Sequence, residues 1–341
     1  MTIYVYSDRI VFPNYTLSVL ADNIGLRLDG EITATDIIDP FQGMVAGYTS
    51  GGYNGPPASN VIDKFPFATD ISATDVGDLS QTRKNVTGQS GPASGYTSGG
   101  FNSGISGGPL NTIDKFPFSS DANATDVGDL SNDRYNAAGQ SSSVNGYTSG
   151  GNTGFYAGYR NVIDKFPFAA NTNATDVGDL TASRQNLAGQ SSSVSGYTSG
   201  GATGGISNVI DKFPFSSDAN ATDVGDLPLP RRGVTGQSST TSGYSSGGSS
   251  PDAPVSSSPI EKFPFSTDSN ATNIGSLTIS GGYACAGQSS NVSGYSSGRV
   301  VFNPTTVYYN VIDKFPFAVD SSASDVGDLT STRSFSAGQQ D

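Results

Sequence analysis

Apolar and polar residues alternate in short runs along this chain, and Gly, Asn, Asp and Pro interrupt the runs. No window keeps apolar residues three and four apart over two turns, so the pattern predicts strands and no amphipathic helix. The segment Val61-Ile62-Asp63-Lys64-Phe65-Pro66-Phe67 shows what one run implies. Alternation sends Phe65 and Phe67 to one face of a sheet and Ile62 to the other. Pro66 has no N–H and belongs where the strand ends.

The same run returns. Lys-Phe-Pro-Phe occurs six times, with its first Phe at Phe65, Phe116, Phe166, Phe213, Phe263 and Phe315, at spacings of 51, 50, 47, 50 and 52 residues. Each copy lies in a longer frame: Gly-Tyr-Thr/Ser-Ser-Gly-Gly, a loop, the Lys-Phe-Pro-Phe run, Ala-Thr-Asp-Val-Gly-Asp-Leu, an Arg, and Ala-Gly-Gln-Ser-Ser. Each frame predicts four strands, a to d, which in one copy span 135–142, 146–151, 161–168 and 175–180. Four strands in about 50 residues make a propeller blade, which packs on its neighbours through both faces. Apolar residues on both faces then find a core, and each buried Phe contributes about 1.5–3 kcal/mol.

Strand counting also predicts how the ring closes. An Ala-Gly-Gln-type strand, Thr-Gly-Gln in two copies, stands before the second to sixth frames and returns as Ala337-Gly338-Gln339, whereas the first Gly-Tyr strand has none ahead of it. The expectation is an all-β fold, a six-bladed β-propeller over residues 43–341 whose C-terminal strand completes blade 1 and removes the open sheet edge. A degenerate seventh blade from residues 1–46 is the alternative. Residues 1–42 lack the frame but alternate in β fashion through Ile3, Tyr4, Val5 and Tyr6. They read as a short N-terminal β segment that docks onto a partner or packs on the propeller.

Composition then narrows the chemistry. With 44 Gly, 18 Phe and 16 Tyr in 341 residues, the chain has turn formers and enough aromatic area to rule out a solvated coil. A formal net charge of -13 excludes phosphate-backbone recognition, so no nucleic-acid partner is expected. The absence of His removes Ser-His-Asp triads and imidazole metal sites, and the single Cys285 can form no internal disulfide. No apolar stretch reaches the ~20 residues of a membrane helix, and the first ten residues lack the pattern of a secretion signal. A soluble product of a cytoplasm is the expectation, with no membrane insertion.

Candidate sites follow from what varies inside the constant frame. The acidic and amide stretches, such as Asp70 to Asp75 and Asp121 to Asp126, space oxygens as Ca²⁺ ligands would, but they lack the loop Gly and closing Glu and read first as turn caps. Gln89, Gln140, Gln190, Gln237, Gln288 and Gln339 should join neighbouring strands at the axis. The repeated Asp-Lys pairs and arginines read as structural ion pairs or solvated edges. No catalytic residue, metal site or cofactor is assigned. Only the b–c loops, between the Gly-Gly and Ile-Asp-Lys frames, differ in length and content. In a propeller they emerge on one face, where recognition residues favour loops on a rigid scaffold. Their aromatics are the candidate ligand-binding residues: Tyr53, Phe101, Phe155, Tyr156, Tyr159, Phe302, Tyr308 and Tyr309. Such rings stack on sugars or anchor a protein partner.

The Gly-Gly pair closing a short aromatic strand and the Leu-x-x-x-Arg leading into strand a resemble the kelch signature, although Val76, Val127, Val177, Val224, Ile274 and Val326 stand near the place of its strand-d Trp. The Ile-Asp-Lys-Phe-Pro-Phe and Ala-Thr-Asp-Val-Gly-Asp-Leu repeats are similar to those of kelch-like structural proteins of marine bacteriophages, cyanophages among them. The resemblance implies a virion location, with an extracellular or cell-surface protein as the alternative. The expected function is a non-enzymatic virion structural or adhesion protein: a tail or fibre-tip adhesin or a capsid decoration. It would bind other virion proteins through residues 1–42 and a host-surface glycan or receptor through the propeller. A carbohydrate-binding, lectin-like propeller without a virion is the second reading.

Overall fold

A computed structural model describes Tyr4, Val5, Ile10, Val11 and residues 42–341, apart from 105–106, 155–157, 253–257 and 303–304. The chain divides into two compact units, Met1–Asp39 and Pro40–Asp341. In the first, β1 (Tyr4–Val5) pairs antiparallel with β2 (Ile10–Val11), and the rest of the expected N-terminal β segment lies outside the described residues. The second unit includes Gln42, one residue before the frame begins.

Six four-stranded antiparallel sheets form the second unit, and no helix occurs among the described residues. Strands β3 (Ala46–Gly52), β4 (Ser59–Pro66) and β5 (Thr74–Asp78) belong to blade 1. Blade 2 is β6 (Thr87–Ser90), β7 (Ser94–Ser98), β8 (Thr112–Pro117) and β9 (Thr125–Asp129). Blade 3 is β10 (Ala138–Ser141), β11 (Asn145–Ser149), β12 (Val162–Pro167) and β13 (Thr175–Asp179). Blade 4 is β14 (Ala188–Ser191), β15 (Ser195–Ser199), β16 (Val209–Pro214) and β17 (Thr222–Asp226). Blade 5 is β18 (Arg232–Ser238), β19 (Ser242–Ser249), β20 (Pro259–Pro264) and β21 (Thr272–Ser276). Blade 6 is β22 (Ala286–Ser289), β23 (Ser293–Val301), β24 (Val307–Pro316) and β25 (Ser324–Asp328). Finally β26 (Ala337–Gln340) lies against β3, Gln339 opposite Tyr48, as the inner strand of blade 1. The closure expected from strand counting is the one found.

Each blade interface is built from the repeat. Phe116 and Phe118 of blade 2 leave one face of β8 and pack on Tyr48 of blade 1, at ring-centroid distances of 5.4 and 5.0 Å. Ile62, Leu79 and the half-buried Val76 complete that cluster from blade 1. On the other side of blade 1, Phe65 and Phe67 meet Tyr295, Ile312 and Leu329 of blade 6. The alternation read in the Phe-Pro-Phe run therefore divides it between two interfaces. The Gly of each Gly-Tyr pair makes room for the Phe ring across the ladder: a Cβ on Gly146 would stand 2.4 Å from Phe166 Cζ.

At the axis the inner strands nearly touch. A Cβ on Gly139 would lie 2.1 Å from the carbonyl oxygen of Gly88 in the neighbouring blade. The glutamines of the same strands act as staples, since Gln89 Nε2 donates to the Tyr147 carbonyl of the next blade at 3.0 Å and Gln339 Nε2 closes the circle onto Tyr96 at 2.9 Å.

A second girdle consists of buried ion pairs. Arg134 donates to the carbonyls of Thr148, Gly150 and Val162 and meets Asp164 at 2.6 Å. Arg83 with Asp114, Arg184 with Asp211, Arg231 with Glu261 and Arg333 with Asp63 repeat the arrangement. Six arginines give up hydration here, Arg299 beside Asp313 being the sixth, and for Arg83, Arg134, Arg184 and Arg333 burial lowers the pKa while the carboxylate opposes the shift. The neighbouring lysines point the other way and bridge blades at the surface, as Lys64 does with Asp121 at 3.3 Å.

Candidate functional site

Strands a and c run toward one face of the propeller and b and d toward the other, so the b–c loops and the d–a connections share a face, here called upper. Bridges between the two sets confirm it: Lys84 pairs with Phe101, Tyr135 with Asn152, Gln185 with Ala202, Tyr283 with Val300 and Ser334 with Tyr53. At the centre of this face six residues in the left-handed region surround the channel mouth: Asn85, Asn136, Asn186, Gly233, Ala284 and Phe335, with φ between 57 and 66°. Each donates its backbone N–H to the carbonyl of the preceding member, from Asn136 to Asn85 (3.0 Å) round to Asn85 on Phe335 (2.7 Å), so six hydrogen bonds form a closed circle. Only Gly233 takes this conformation without cost; for Ala284 and Phe335 it costs about 1–2 kcal/mol each. Below the circle lies a cavity of about 120 Å³, lined by the first residues of every inner strand and floored by the axial glycines. Half-buried Cys285 is one of its lining residues.

The mouth is not six-fold symmetric. On one side Asn85 donates to Asn136, and Asn136 and Asn152 both donate to Gln185 Oε1, a chain of side-chain amides. On the other side Phe335 meets Tyr283 edge-on at 5.9 Å, and Tyr283 meets Phe302 at 5.9 Å. A second aromatic series runs beside it: Tyr308 meets Tyr53 at 6.1 Å, Lys84 Nζ lies 3.9 Å over the Tyr53 ring and 6.0 Å from Phe101, and Phe101 meets Tyr135 at 5.4 Å. Together these rings form an arc over blades 6, 1, 2 and 3. Burial in it raises the pKa of Tyr135, Tyr283 and Tyr308 and lowers that of Lys84.

Among the residues expected to bind, Tyr53, Phe101, Phe302 and Tyr308 belong to this arc. Tyr159 pairs across its loop with Asn152 beside the amide chain. Tyr309 sits in strand c opposite Arg299. Phe155 and Tyr156 lie outside the described residues. Lys84, Tyr135, Tyr283 and Phe335 were not among the sequence candidates because they come from the d–a connections. A signal existed: the position after each repeated arginine holds Lys84, Tyr135, Gln185, Arg232 and Ser334, a different residue in each copy.

The acidic and amide stretches face the opposite rim and are taken up by turns. Asp75 Oδ1 accepts from the Gly77 N–H, and Asn123 Oδ1 accepts from the Asp78 N–H of the preceding blade. Among the described residues no three His, Cys, Asp or Glu side chains are placed to hold a metal ion.

No protein-family model matches this chain, and no curated protein matches it. A solved structure titled "Structure of YjhT" superposes with a TM-score of 0.63 over 76% of this chain and 88% of its own, at 13% identity. A likeness at that identity concerns the propeller fold.

Proposed function

We propose that this chain is a non-enzymatic adhesion protein of a virion, a tail or fibre-tip adhesin or a capsid decoration, which binds a glycan through the upper face of its propeller. The observation that carries the reading is the one-sided arc of aromatic rings beside a chain of amides. Sugars present C–H faces and clustered hydroxyls at once, and rings and amides are the side chains that match the two. The chemistry of the mouth supports non-enzymatic binding: no carboxylate is among the described residues that line the cavity, so Cys285 has no acid or base partner there. The repeats' resemblance to bacteriophage structural proteins supports the virion. The chain enters the propeller on the lower face, where Gln42 Nε2 donates to the carbonyls of Ser238 and Ser290.

A glycan array with the full chain, beside a Tyr53→Ala/Tyr308→Ala variant, tests the binding part. Binding that the variant loses is the expected result; binding unchanged in the variant would move the site elsewhere. Mass spectrometry of purified particles tests the virion part, and absence from particles leaves the lectin reading of the same face.

A further inference from the structure

We propose that the glycan taken by the upper face is acidic, bearing carboxylate or sulfate groups. This rests on the reading of that face as a glycan site and adds the charge of its ligand.

Arg9 and Arg27 precede residue 40, which leaves fifteen of the 17 Lys and Arg in the propeller unit. Among the described residues, eleven of those fifteen form ion pairs. The four others are Lys84, Lys115, Arg160 and Arg232. Lys115 has no ion-pair partner among the described residues for a local reason: Asn171 stands in the next blade where the equivalent turns carry Asp121 and Asp218. The remaining three all belong to the upper face. Lys84 comes from the d–a connection of blade 2 and exposed Arg232 from the first position of the blade-5 inner strand, on opposite sides of the mouth, and exposed Arg160 comes from the b–c loop of blade 3.

Their surroundings lack the partners that the fold supplies elsewhere. Lys84 is held over the Tyr53 ring at 3.9 Å and makes no bond to an oxygen among the described residues. An ammonium with three donors, partly desolvated and facing only rings, gains from an anionic oxygen. Arg232 lies near Tyr283, whose burial-raised pKa it opposes. The carboxylates of the propeller are in the buried pairs, on the c–d turns, along strand d and at Asp341; on the b–c and d–a connections the described ones are Asp133 and Asp252, both exposed. A net charge of -13 repels anions at long range, but screening over about 8 Å at physiological salt leaves the local cations in control.

The test uses matched pairs of polymers at 0.15 M salt, in the range where that screening length applies: polygalacturonate against its methyl ester, and dextran sulfate against dextran. Titration calorimetry with the full chain should show at least about tenfold tighter binding to an acidic polymer than to its neutral twin, the size of one charge-assisted hydrogen bond. Preference for polygalacturonate assigns a carboxylate, and preference for dextran sulfate a sulfate. A Lys84→Gln/Arg232→Gln variant should lose the preference with its melting temperature unchanged, whereas Lys115→Gln should keep it. Arg232→Gln alone, at an exposed position, should lose part of it if the double variant melts early. Equal binding to acidic and neutral twins overturns the charge assignment while the glycan reading stands. So does an acidic preference that survives the double substitution or falls equally with Lys115→Gln. Binding to none of the four polymers overturns the glycan reading and this proposal with it.

Discussion

Arg299 fills the space into which a side chain on Gly282 would grow, for a Cβ built on Gly282 would stand 2.9 Å from Arg299 Cδ. In the other five blades the ion-pair arginine precedes strand a and a second Gly ends the Gly-Gly pair of strand b. In blade 6 the two have changed places: Gly282 occupies the arginine position and Arg299 the glycine position, and Arg299 Nη2 reaches Asp313. The guanidinium arrives from another strand, yet the carboxylate keeps its partner.

The exchange can be reversed. Arg299→Gly should destabilise the propeller by about 3–5 kcal/mol, because it strands a buried carboxylate without its cation. Adding Gly282→Arg should recover most of the loss, since that side chain enters the vacated space. Denaturant melts of the two variants check this, and a double variant no more stable than Arg299→Gly alone would refute the swap.

At the axis, Gly139→Ala should cost about 1–3 kcal/mol or more, since its methyl group meets a backbone carbonyl that cannot turn aside. Gly154, with no atom within 4 Å of an added Cβ, is the matched control and should accept Ala with little change. Similar melting temperatures for the two would mean that the inner strands are not in contact.

The circle at the mouth stores strain that can be relieved. Ala284→Gly keeps φ near 57° without the Cβ penalty and should raise stability by up to about 1 kcal/mol, net of the entropy that Gly adds to the unfolded chain. A lower melting temperature would show that Ala284 does not occupy the left-handed region.

Alkali should act on the interface tyrosines. Burial raises the pKa of Tyr96 to about 12 and also raises those of Tyr147, Tyr197, Tyr244 and Tyr295. A folded pKa above the unfolded value near 10 means stability that is complete below pH ~10 and lost as the pH rises toward 12. Absorbance at 295 nm and circular dichroism should therefore change together above pH 10. Tyrosinate formed fully at pH 10 with the fold intact would contradict the burial.

Most of the fold was legible because a propeller writes its architecture in repeats: Phe65, Phe116 and their equivalents mark every strand c, and a surplus Ala-Gly-Gln announces the closure. The ion pairs were legible as recurrent arginines, but not their partners. Arg333 meets Asp63 across more than two hundred residues, and no spacing rule links them. The aromatic arc was legible in half. Variable loops drew attention to Tyr53, Phe101, Phe302 and Tyr308, while Lys84, Tyr135 and Tyr283 stood next to framework residues and passed for framework. That they share a face with the loops depends on strand direction in three dimensions, which a linear pattern gives only after the blade has been built.

The hydrogen-bonded circle from Asn85 to Phe335 has a consequence for biosynthesis. Its last link joins blade 2 to a residue made about 250 positions later, so no nascent chain owns a finished mouth until Phe335 has left the ribosome. Products of premature termination or C-terminal proteolysis would keep most of their blades and still lack the closed circle at the mouth, a built-in distinction between intact and damaged copies.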